Sequence, residues 1–155
     1  QEGYALLAQR RPRRSLPKGG QGSSIGSKVS YTHRCSIDRC TGAANQYLVE
    51  GRVNKETVLF LVDTGATNTV LTLKDAAKAG INVEKLNFRN PINTANGINY
   101  SATILVNYLE IGNIQLNDFK ILVLQDGLFN SLLGMDFISK LSKFEVENNV
   151  LILKK

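Results

Sequence analysis

The residues of this chain best suited to chemistry are Asp63, Thr64 and Gly65, which directly follow the apolar run 58–62. A carboxylate in a turn after a buried strand can act as a general acid or base, because the strand holds it in place. The same residue types also form ordinary turns, in which the Asp side chain bonds its own backbone two residues on. The triplet alone therefore leaves two alternatives, a catalytic carboxylate and a plain turn.

A second segment, near the C-terminus, narrows this choice. It consists of Ser131, the apolar pair Leu132 and Leu133, and Gly134. These residues lead into a helix predicted from about 135 to 141. Either segment alone is a weak signal, because short motifs occur by chance. The two together, in this order, are specific.

With these two segments the sequence resembles the retropepsin-like aspartic proteases, the single-domain relatives of pepsin, over residues 46–155. In that family the catalytic Asp-Thr-Gly follows a buried strand, and an apolar-apolar-Gly segment passes beside it before a short C-terminal helix. Three segments are similar to the bacterial branch: the helix predicted over 73–79 with the Gly80 that follows it, the hairpin tip 94–97 and the segment 133–137. The resemblance implies a mainly β fold, a closed barrel equivalent to one lobe of the acid proteases, with a flap hairpin and a short C-terminal helix.

The resemblance also implies roles for individual residues. Asp63 is the catalytic acid and base, Thr64 bonds across to a second chain, and Gly65 lets backbone and substrate approach closely. Four neighbours support the active site: Ala66, Leu132, Leu133 and Gly134. The flap that closes over the substrate takes in five residues: Thr94, Ala95, Asn96, Gly97 and Ile98. Without the resemblance, the Asn-Gly pair at its tip would indicate an ordinary surface hairpin.

Peptide hydrolysis by this route needs two carboxylates that share one proton, and the chain contains no second Asp-Thr-Gly or Asp-Ser-Gly. A two-fold symmetric homodimer supplies the second carboxylate by placing Asp63 of both chains on the axis. The predicted protein is therefore a homodimeric aspartic endopeptidase that acts on peptide or protein substrates. Its activity is expected to be greatest at acidic pH, where the pair keeps its shared proton.

Two positions depart from the viral members of the family, in which an Asp and an Arg form an ion-pair network near the dimer interface. This chain has Thr67 and Met135 there, so the dimer is predicted to be weaker or differently assembled. The alternative function is a catalytically silent module of the same fold that binds peptides or dimerises, because fold alone does not determine activity. The intact Asp-Thr-Gly argues against that alternative.

The rest of the sequence predicts the elements that hold these residues. Short apolar runs separated by turn residues indicate strands at 47–53, 57–62, 92–94, 98–111, 114–124, 144–146 and 150–153. A helix is predicted over 73–79, with Thr72 as its N-cap and Gly80 as its stop. The last strand is apolar on both faces, so it either joins a sheet between two chains or packs within its own chain.

Length and charge indicate one domain preceded by a tail. The 155 residues are 43% hydrophobic, which is enough apolar material for one core and excludes a wholly disordered chain. Residues 1–40 hold eight Lys and Arg against two acidic residues, which accounts for the whole net charge of +6. Residues 1–45 are therefore predicted to be a basic, flexible tail, and residues 46–155 the protease domain. No aromatic residues interleave the basic cluster 10–14, so a solvated tail is favoured and nucleic acid is not an expected partner.

The leading segment carries three further expectations. It is a candidate propeptide that the enzyme itself removes. His33, Cys35 and Cys40 do not complete a tetrahedral metal site, so no metal or other cofactor is expected, and the cysteines form either a disulfide or two free thiols. Because the sequence begins with Gln1, the likeness to bacterial relatives implies an upstream membrane anchor and a location in the bacterial cell envelope. The given residues contain no apolar run long enough to span a bilayer.

Overall fold

Strands dominate the fold, which the computed structural model describes for residues 28–31, 46–94, 96–147 and 150–155. Within these residues ten strands form: β1 (Lys28–Tyr31), β2 (Leu48–Val53), β3 (Glu56–Val62), β4 (Val70–Leu71), β5 (Asn90–Thr94), β6 (Gly97–Ile111), β7 (Ile114–Leu124), β8 (Ser131–Leu133), β9 (Lys143–Glu147) and β10 (Val150–Lys154). The helical elements are α1 (Leu73–Lys78), α2 (Met135–Ile138) and a 3-10 turn at Val83–Lys85.

Six strands close into a mixed barrel in the order β2, β3, β8, β4, β7 and β6, and β6 pairs back with β2. The pairs β3–β8 and β4–β7 are parallel, and the other neighbours are antiparallel. The seam of the barrel is the pairing of β2 with β6, and the two strands approach closely there. A Cβ on Gly51 would lie 3.0 Å from the carbonyl oxygen of Glu110. Arg52 Nε donates to the Glu110 carboxylate across the seam at 3.1 Å, and this hydrogen bond raises the pKa of Arg52. The predicted mainly β, closed barrel is confirmed.

The barrel interior is filled by apolar side chains that alternate along the strands. The largest fully buried ones include Phe60, Leu109, Ile111 and Leu133. Phe137 of α2 adds its ring to this core and meets Phe119 edge-on, with centroids 6.2 Å apart and planes at 74°. Burying each such side chain contributes about 1.5–3 kcal/mol, so the core is what holds the loops at the barrel ends in place.

A second sheet contains three antiparallel strands in the order β1, β10 and β9. Leu151 and Leu153 of β10 are fully buried and belong to the main core. The last strand was predicted either to join a sheet between two chains or to pack within its own chain, and in the structure β10 packs within its own chain. Strand β1 was not predicted, because a four-residue strand whose partner lies at the other end of the chain shows no usable periodicity. The remainder of residues 1–45 lies outside the described residues, so the tail and the boundary at residue 45 stay predictions.

The cap and stop residues predicted for α1 are confirmed. Thr72 Oγ1 accepts a hydrogen bond from the backbone N–H of Asp75 at 3.1 Å, and Gly80 follows the helix with φ of 80°. Helix α2 is shorter than predicted. It ends at Ile138, and the chain continues in turns to Leu141. In the part of the chain that the structure describes, no helix is long and apolar enough to cross a membrane.

Candidate active site

Asp63 lies where two parallel strands of the barrel end side by side. β3 and β8 are paired so that Val62 lies opposite Leu133, and the backbone N–H of Asp63 donates to the Leu133 carbonyl at 3.0 Å. The half-buried Asp63 carboxylate accepts a hydrogen bond from the N–H of Gly65 at 2.8 Å, which fixes its orientation. This hydrogen bond from Gly65 to Asp63 is the one that a plain turn would also have. The residues around the turn therefore decide what chemistry the carboxylate can perform.

The two segments singled out in the sequence cross each other next to this turn. A Cβ on Gly134 would lie closer than 3.0 Å to backbone atoms of Asn68 and Thr69, so glycine is required for the crossing. Gly134 N–H donates to Thr69 Oγ1 at 3.1 Å. The buried Thr69 in turn donates to the Asp136 carboxylate, through its N–H at 2.9 Å and its hydroxyl at 2.7 Å. This series of hydrogen bonds ties the Asp63 loop to helix α2.

A second network ties β8 to helix α1. The hydroxyl of Ser131 donates to the Asp75 carboxylate at 2.6 Å and accepts from the N–H of Thr72 at 3.1 Å. Ser131 is fully buried, where an unpaired hydroxyl would cost about 1–3 kcal/mol. The strand that supports Asp63 is therefore held from both sides, by α1 and by the 68–69 crossing.

A cavity of about 700 Å³ opens beside Asp63. Its walls come from the Asp63 loop, the β5–β6 hairpin, the end of β7 and the loop 127–130. Most of its lining side chains are apolar, and Asp63 is the one ionisable side chain among the described residues that line it. A concave site that combines apolar and neutral polar side chains with one oriented carboxylate has the size and character of a ligand-binding or catalytic cleft.

The structure brings half of the twelve site residues singled out in the sequence to this cavity. Six of them line it: Asp63, Gly65, Ala66, Thr94, Asn96 and Leu132. Leu133 and Gly134 are buried behind the lining, where they hold the Asp63 loop. Ile98 follows the hairpin tip with 68% of its surface exposed, and Ala95 lies outside the described residues.

The β5–β6 hairpin, predicted as the flap, has a tip stabilised by its own hydrogen bonds. Thr94 Oγ1 accepts from the N–H of Asn96 at 3.3 Å and donates to the carbonyl of Gly97 at 2.7 Å. Gly97 has φ of 111°, a conformation that favours glycine and that the Asn-Gly pair predicted. Farther from the tip, the side chain of Asn99 donates to the carbonyl of Asp126, which joins the hairpin to the loop after β7.

Gln46 and the loop 127–130 are among the parts of the cavity wall that sequence reasoning missed. In that loop Gly127 has φ of 86°, and Phe129 is 76% exposed. A large apolar side chain within a polar turn was the available signal, because such exposure often marks a binding surface. Gln46 had no comparable signal, since its place in the wall depends on how the chain enters β2.

Two side-chain oxygens near the cavity, Thr64 Oγ1 and Gln46 Oε1, are buried without a hydrogen-bond partner among the described residues. A buried polar atom left unpaired costs about 1–3 kcal/mol. At these two atoms near the cavity, the described residues leave a buried hydrogen-bonding group unused.

Within the described residues, no group of three or more His, Cys, Asp or Glu side chains could hold a metal ion. His33, Cys35 and Cys40 lie outside that part of the chain. The expectation of no metal or cofactor, and the alternatives for the two cysteines, stay predictions.

Comparison with known proteins then assigns the family. A profile described as "gag-polyprotein putative aspartyl protease" matches residues 49–140, which is more than half of the chain. The chain belongs to this family. The resemblance to the retropepsin-like aspartic proteases is confirmed, and the matched region contains the Asp63 loop, the β5–β6 hairpin and β8.

Solved structures support the same retropepsin-like fold. A retropepsin-like aspartic protease from Rickettsia conorii superposes with a TM-score of 0.69 at 30% identity, covering 85% of this chain and 93% of that one. The retroviral protease-like domain of Ddi1 from Leishmania major superposes with a TM-score of 0.52, covering 73% of this chain and 96% of that one. At 15% identity, this second likeness concerns the fold alone.

Two curated relatives of this retropepsin-like chain are uncharacterized proteins. One, from Rickettsia prowazekii (strain Madrid E), is 36% identical over 110 residues, or 69% of this chain. The other, encoded in the cobV 5′ region of a Sinorhizobium species, is 37% identical over 103 residues, or 66% of this chain. The matches span only 46% and 44% of the relatives' own lengths.

Proposed function

We propose that this protein is an aspartic endopeptidase that hydrolyses peptide bonds by activating water on a pair of Asp63 carboxylates. The observation that carries the proposal is the position of Asp63 in the wall of the cavity, oriented by the 2.8 Å hydrogen bond from Gly65. An oriented carboxylate in an apolar cleft suits general acid–base chemistry, because it faces the substrate rather than bulk water. Membership of an aspartyl protease family makes the peptide bond the expected target.

The proposed active form is a two-fold symmetric homodimer, since one chain supplies one Asp-Thr-Gly. Thr64 supports this assembly, because its buried hydroxyl has no hydrogen-bond partner among the residues that the structure describes. A hydroxyl can both donate and accept, so the Thr64 side chains of two chains can bond reciprocally across the axis. The two Asp63 carboxylates would then lie close together and share one proton.

In this dimer the two carboxylates divide the work. The ionised one takes a proton from water as the water oxygen attacks the peptide carbonyl carbon, and the protonated one donates to the carbonyl oxygen. Proton transfer to the leaving nitrogen then breaks the C–N bond. The β5–β6 hairpin would close over the extended substrate and exclude bulk water during these steps.

The first test is cleavage of an unstructured protein substrate from acidic to mildly alkaline pH. We expect acid-favoured cleavage by the parent protein and none by Asp63→Asn, with a rate that rises faster than linearly with enzyme concentration. Asp118→Asn is the matched control, because Asp118 is exposed, does not line the cavity and has φ of 49°, which Asn tolerates. A folded, dimeric parent protein that cleaves nothing at any pH would indicate the silent peptide-binding module instead.

We further propose that the enzyme trims its own leading segment within residues 1–45. Incubated at acidic pH, the parent chain should shorten while the Asp63→Asn chain keeps its full length, as intact-mass spectrometry can show. Identical shortening of both chains would exclude self-processing. Attachment to a bacterial cell envelope stays a prediction that fractionation of the source cells would test.

A further inference from the structure

The β5–β6 hairpin extends past the barrel strands that support it. The pairing of β6 with β7 ends at Ser101 and Leu124, and the hairpin tip lies farther along β6. Thr94 and Asn96 of the hairpin line one side of the cavity beside Asp63. The contacts that fix the hairpin beyond the last strand pair therefore also fix that wall of the cavity.

The loop that follows β7 lines the cavity from another side. Leu128 and Phe129 belong to its wall, and Phe129 is largely exposed. The loop lies between the end of β7 at Leu124 and the start of β8 at Ser131. Its position therefore depends on contacts other than strand pairing.

Asn99 of β6 joins the hairpin to this loop just past the last strand pair. Its Nδ2 donates to the backbone carbonyl of Asp126, and its Oδ1 accepts from the N–H of Tyr100 at 2.7 Å. Beside it, the N–H of Gln125 donates to the Tyr100 carbonyl at 3.1 Å. Because Oδ1 is held by the backbone, Nδ2 is directed at the loop. Across the hairpin, Asn99 is paired with Ile92, which lines the cavity.

Gly127 leaves the space that this contact needs. A Cβ at this position would lie 2.9 Å from Asn99 Nδ2, so a larger residue would displace the carboxamide. Gly127 also has φ of 86°, which favours glycine, and its N–H donates to the Asp126 carboxylate at 2.7 Å. The conformation of the loop and its contact with Asn99 thus depend on the same glycine.

We propose that Asn99 is a positioning residue that couples the β5–β6 hairpin to the loop 126–130, so that these two walls of the cavity open and close together. A peptide that enters then meets both walls in place. Without the contact, each wall must be ordered separately when the peptide binds, which lowers the population that is ready to bind. This inference rests on the proposed function, because it names a positioning residue of that same site.

Hydrogen exchange followed by mass spectrometry tests the coupling without any need for activity. All proteins in this test are full-length and carry Asp63→Asn, so that self-cleavage cannot shorten them. Asn99→Asp keeps the acceptor oxygen but replaces the donor by a carboxylate, which repels the Asp126 carbonyl. We expect exchange to become at least about fivefold faster in segments 90–98 and 125–130 together, because both lose the same contact.

Asn107→Asp is the matched control, because it makes the same change of charge at an exposed position of β6 that does not line the cavity. It should alter exchange in the two segments by less than about twofold. Circular dichroism checks that the variants are folded. A folded Asn99→Asp protein that leaves exchange unchanged in either segment would overturn the proposal.

Gly127→Ala reaches the same contact from the loop side and serves as a second variant. Its new methyl group should displace the Asn99 carboxamide and speed exchange in 90–98 at least about threefold. In a protein that already carries Asn99→Asp, Gly127→Ala should leave exchange in 90–98 unchanged, because the contact is already lost. Gly80→Ala is the control for backbone strain, since Gly80 has φ of 80° and a Cβ there meets nothing within 4 Å. Full additivity of the Asn99 and Gly127 substitutions would overturn the proposal.

Cleavage of casein, an unstructured protein, by proteins with Asp63 intact separates this inference from the proposed function. We expect Asn99→Asp to raise KM at least about fivefold and to keep kcat within about twofold, because only the population ready to bind falls. Partial unfolding would instead lower the apparent kcat at an unchanged KM.

Faster exchange in both segments of Asn99→Asp, without any hydrolysis by the parent protein, would sustain the coupling and refute the endopeptidase. Hydrolysis by the parent protein with an unchanged KM in Asn99→Asp would sustain the endopeptidase and refute the positioning role of Asn99.

Discussion

Two glycines next to the Asp63 carboxylate should respond in opposite ways to the same added methyl group. Gly65 is exposed and lines the cavity, whereas Gly134 is buried in the crossing with the Asn68 backbone. We expect Gly65→Ala to impair catalysis while the fold persists, and Gly134→Ala to impair the fold itself. The two variants thereby separate the requirement of catalysis at Gly65 from the requirement of folding at Gly134.

For Gly65→Ala, the structure limits the disturbance to the catalytic group. The new Cβ would meet a single neighbour, Asp63 Oδ1, at 3.1 Å, which is a few tenths of an ångström too close. The carboxylate must shift by that amount, and since misplacement by about 1 Å costs roughly 100-fold in rate, we expect about a tenfold loss of kcat. The free energy of unfolding should change by less than about 1 kcal/mol, because the backbone here is compatible with alanine.

For Gly134→Ala, the neighbours are backbone atoms that cannot turn aside. The Cβ would lie closer than 3.0 Å to Asn68 and 2.9 Å from Thr69 N. Relieving such overlap typically costs about 1–3 kcal/mol, and the strand shift would also weaken the hydrogen bond from Gly134 N–H to Thr69 Oγ1. A loss of about 2–4 kcal/mol is a large part of the stability of a small domain.

Urea denaturation followed by circular dichroism measures the free energy of unfolding, and initial rates of peptide cleavage measure kcat. All proteins are compared at one protein concentration, since dimerisation makes the midpoint concentration-dependent. A Gly134→Ala protein as stable as its parent would refute the packing argument. A Gly65→Ala protein with unchanged kcat would refute the argument that this loop sets the carboxylate position.

Further substitutions test other contacts of the site. Asp136→Asn should lower the free energy of unfolding by about 1.5–3 kcal/mol in urea titrations, because the donors of Thr69 lose a charged acceptor. Leu153→Ala should lower it by about 2–5 kcal/mol if β10 packs in the core of its own chain, and a value near zero would contradict that packing. Thr64→Val removes a buried hydroxyl that has no partner among the described residues, so sedimentation velocity should show the proposed dimer to be at least about tenfold weaker, while the monomer is no less stable to urea.

The parts of the fold that were predictable have causes close together in the chain. The cap at Thr72 and the hairpin turn at Gly97 are set by neighbouring residues, and the long strands β6 and β7 by their own alternation. Strand β1 and the short strand β4 have no such cause. They are strands because distant segments pair with them, β10 in one case and β7 and β8 in the other.

The candidate site also contains residues that could be predicted from nearby sequence and residues whose place depends on distant segments. Asp63 and Gly134 were found because each stands next to an apolar run, in a short segment that matches the pattern of the family. Phe129 was missed because nothing within its loop reveals that the loop faces Asp63. That placement follows from the barrel, in which β7 delivers the loop to the end where β3 stops, with Asn99 contacting Asp126 beside it.

In the proposed dimer, substrate binding and dimerisation should depend on each other. Thr64 Oγ1 adjoins Asp63, has no hydrogen-bond partner among the described residues and would be satisfied by the partner chain under the proposed mechanism. A peptide held between the two Asp63 loops of that proposed dimer would contact both chains, so it would bind the dimer more tightly than the monomer. By linkage, a peptide must strengthen the dimer by the same factor by which the dimer strengthens peptide binding. Because this chain has Thr67 and Met135 in place of the Asp and Arg of the viral ion-pair network, that coupling would give the substrate a direct influence on how much of the proposed dimer is assembled.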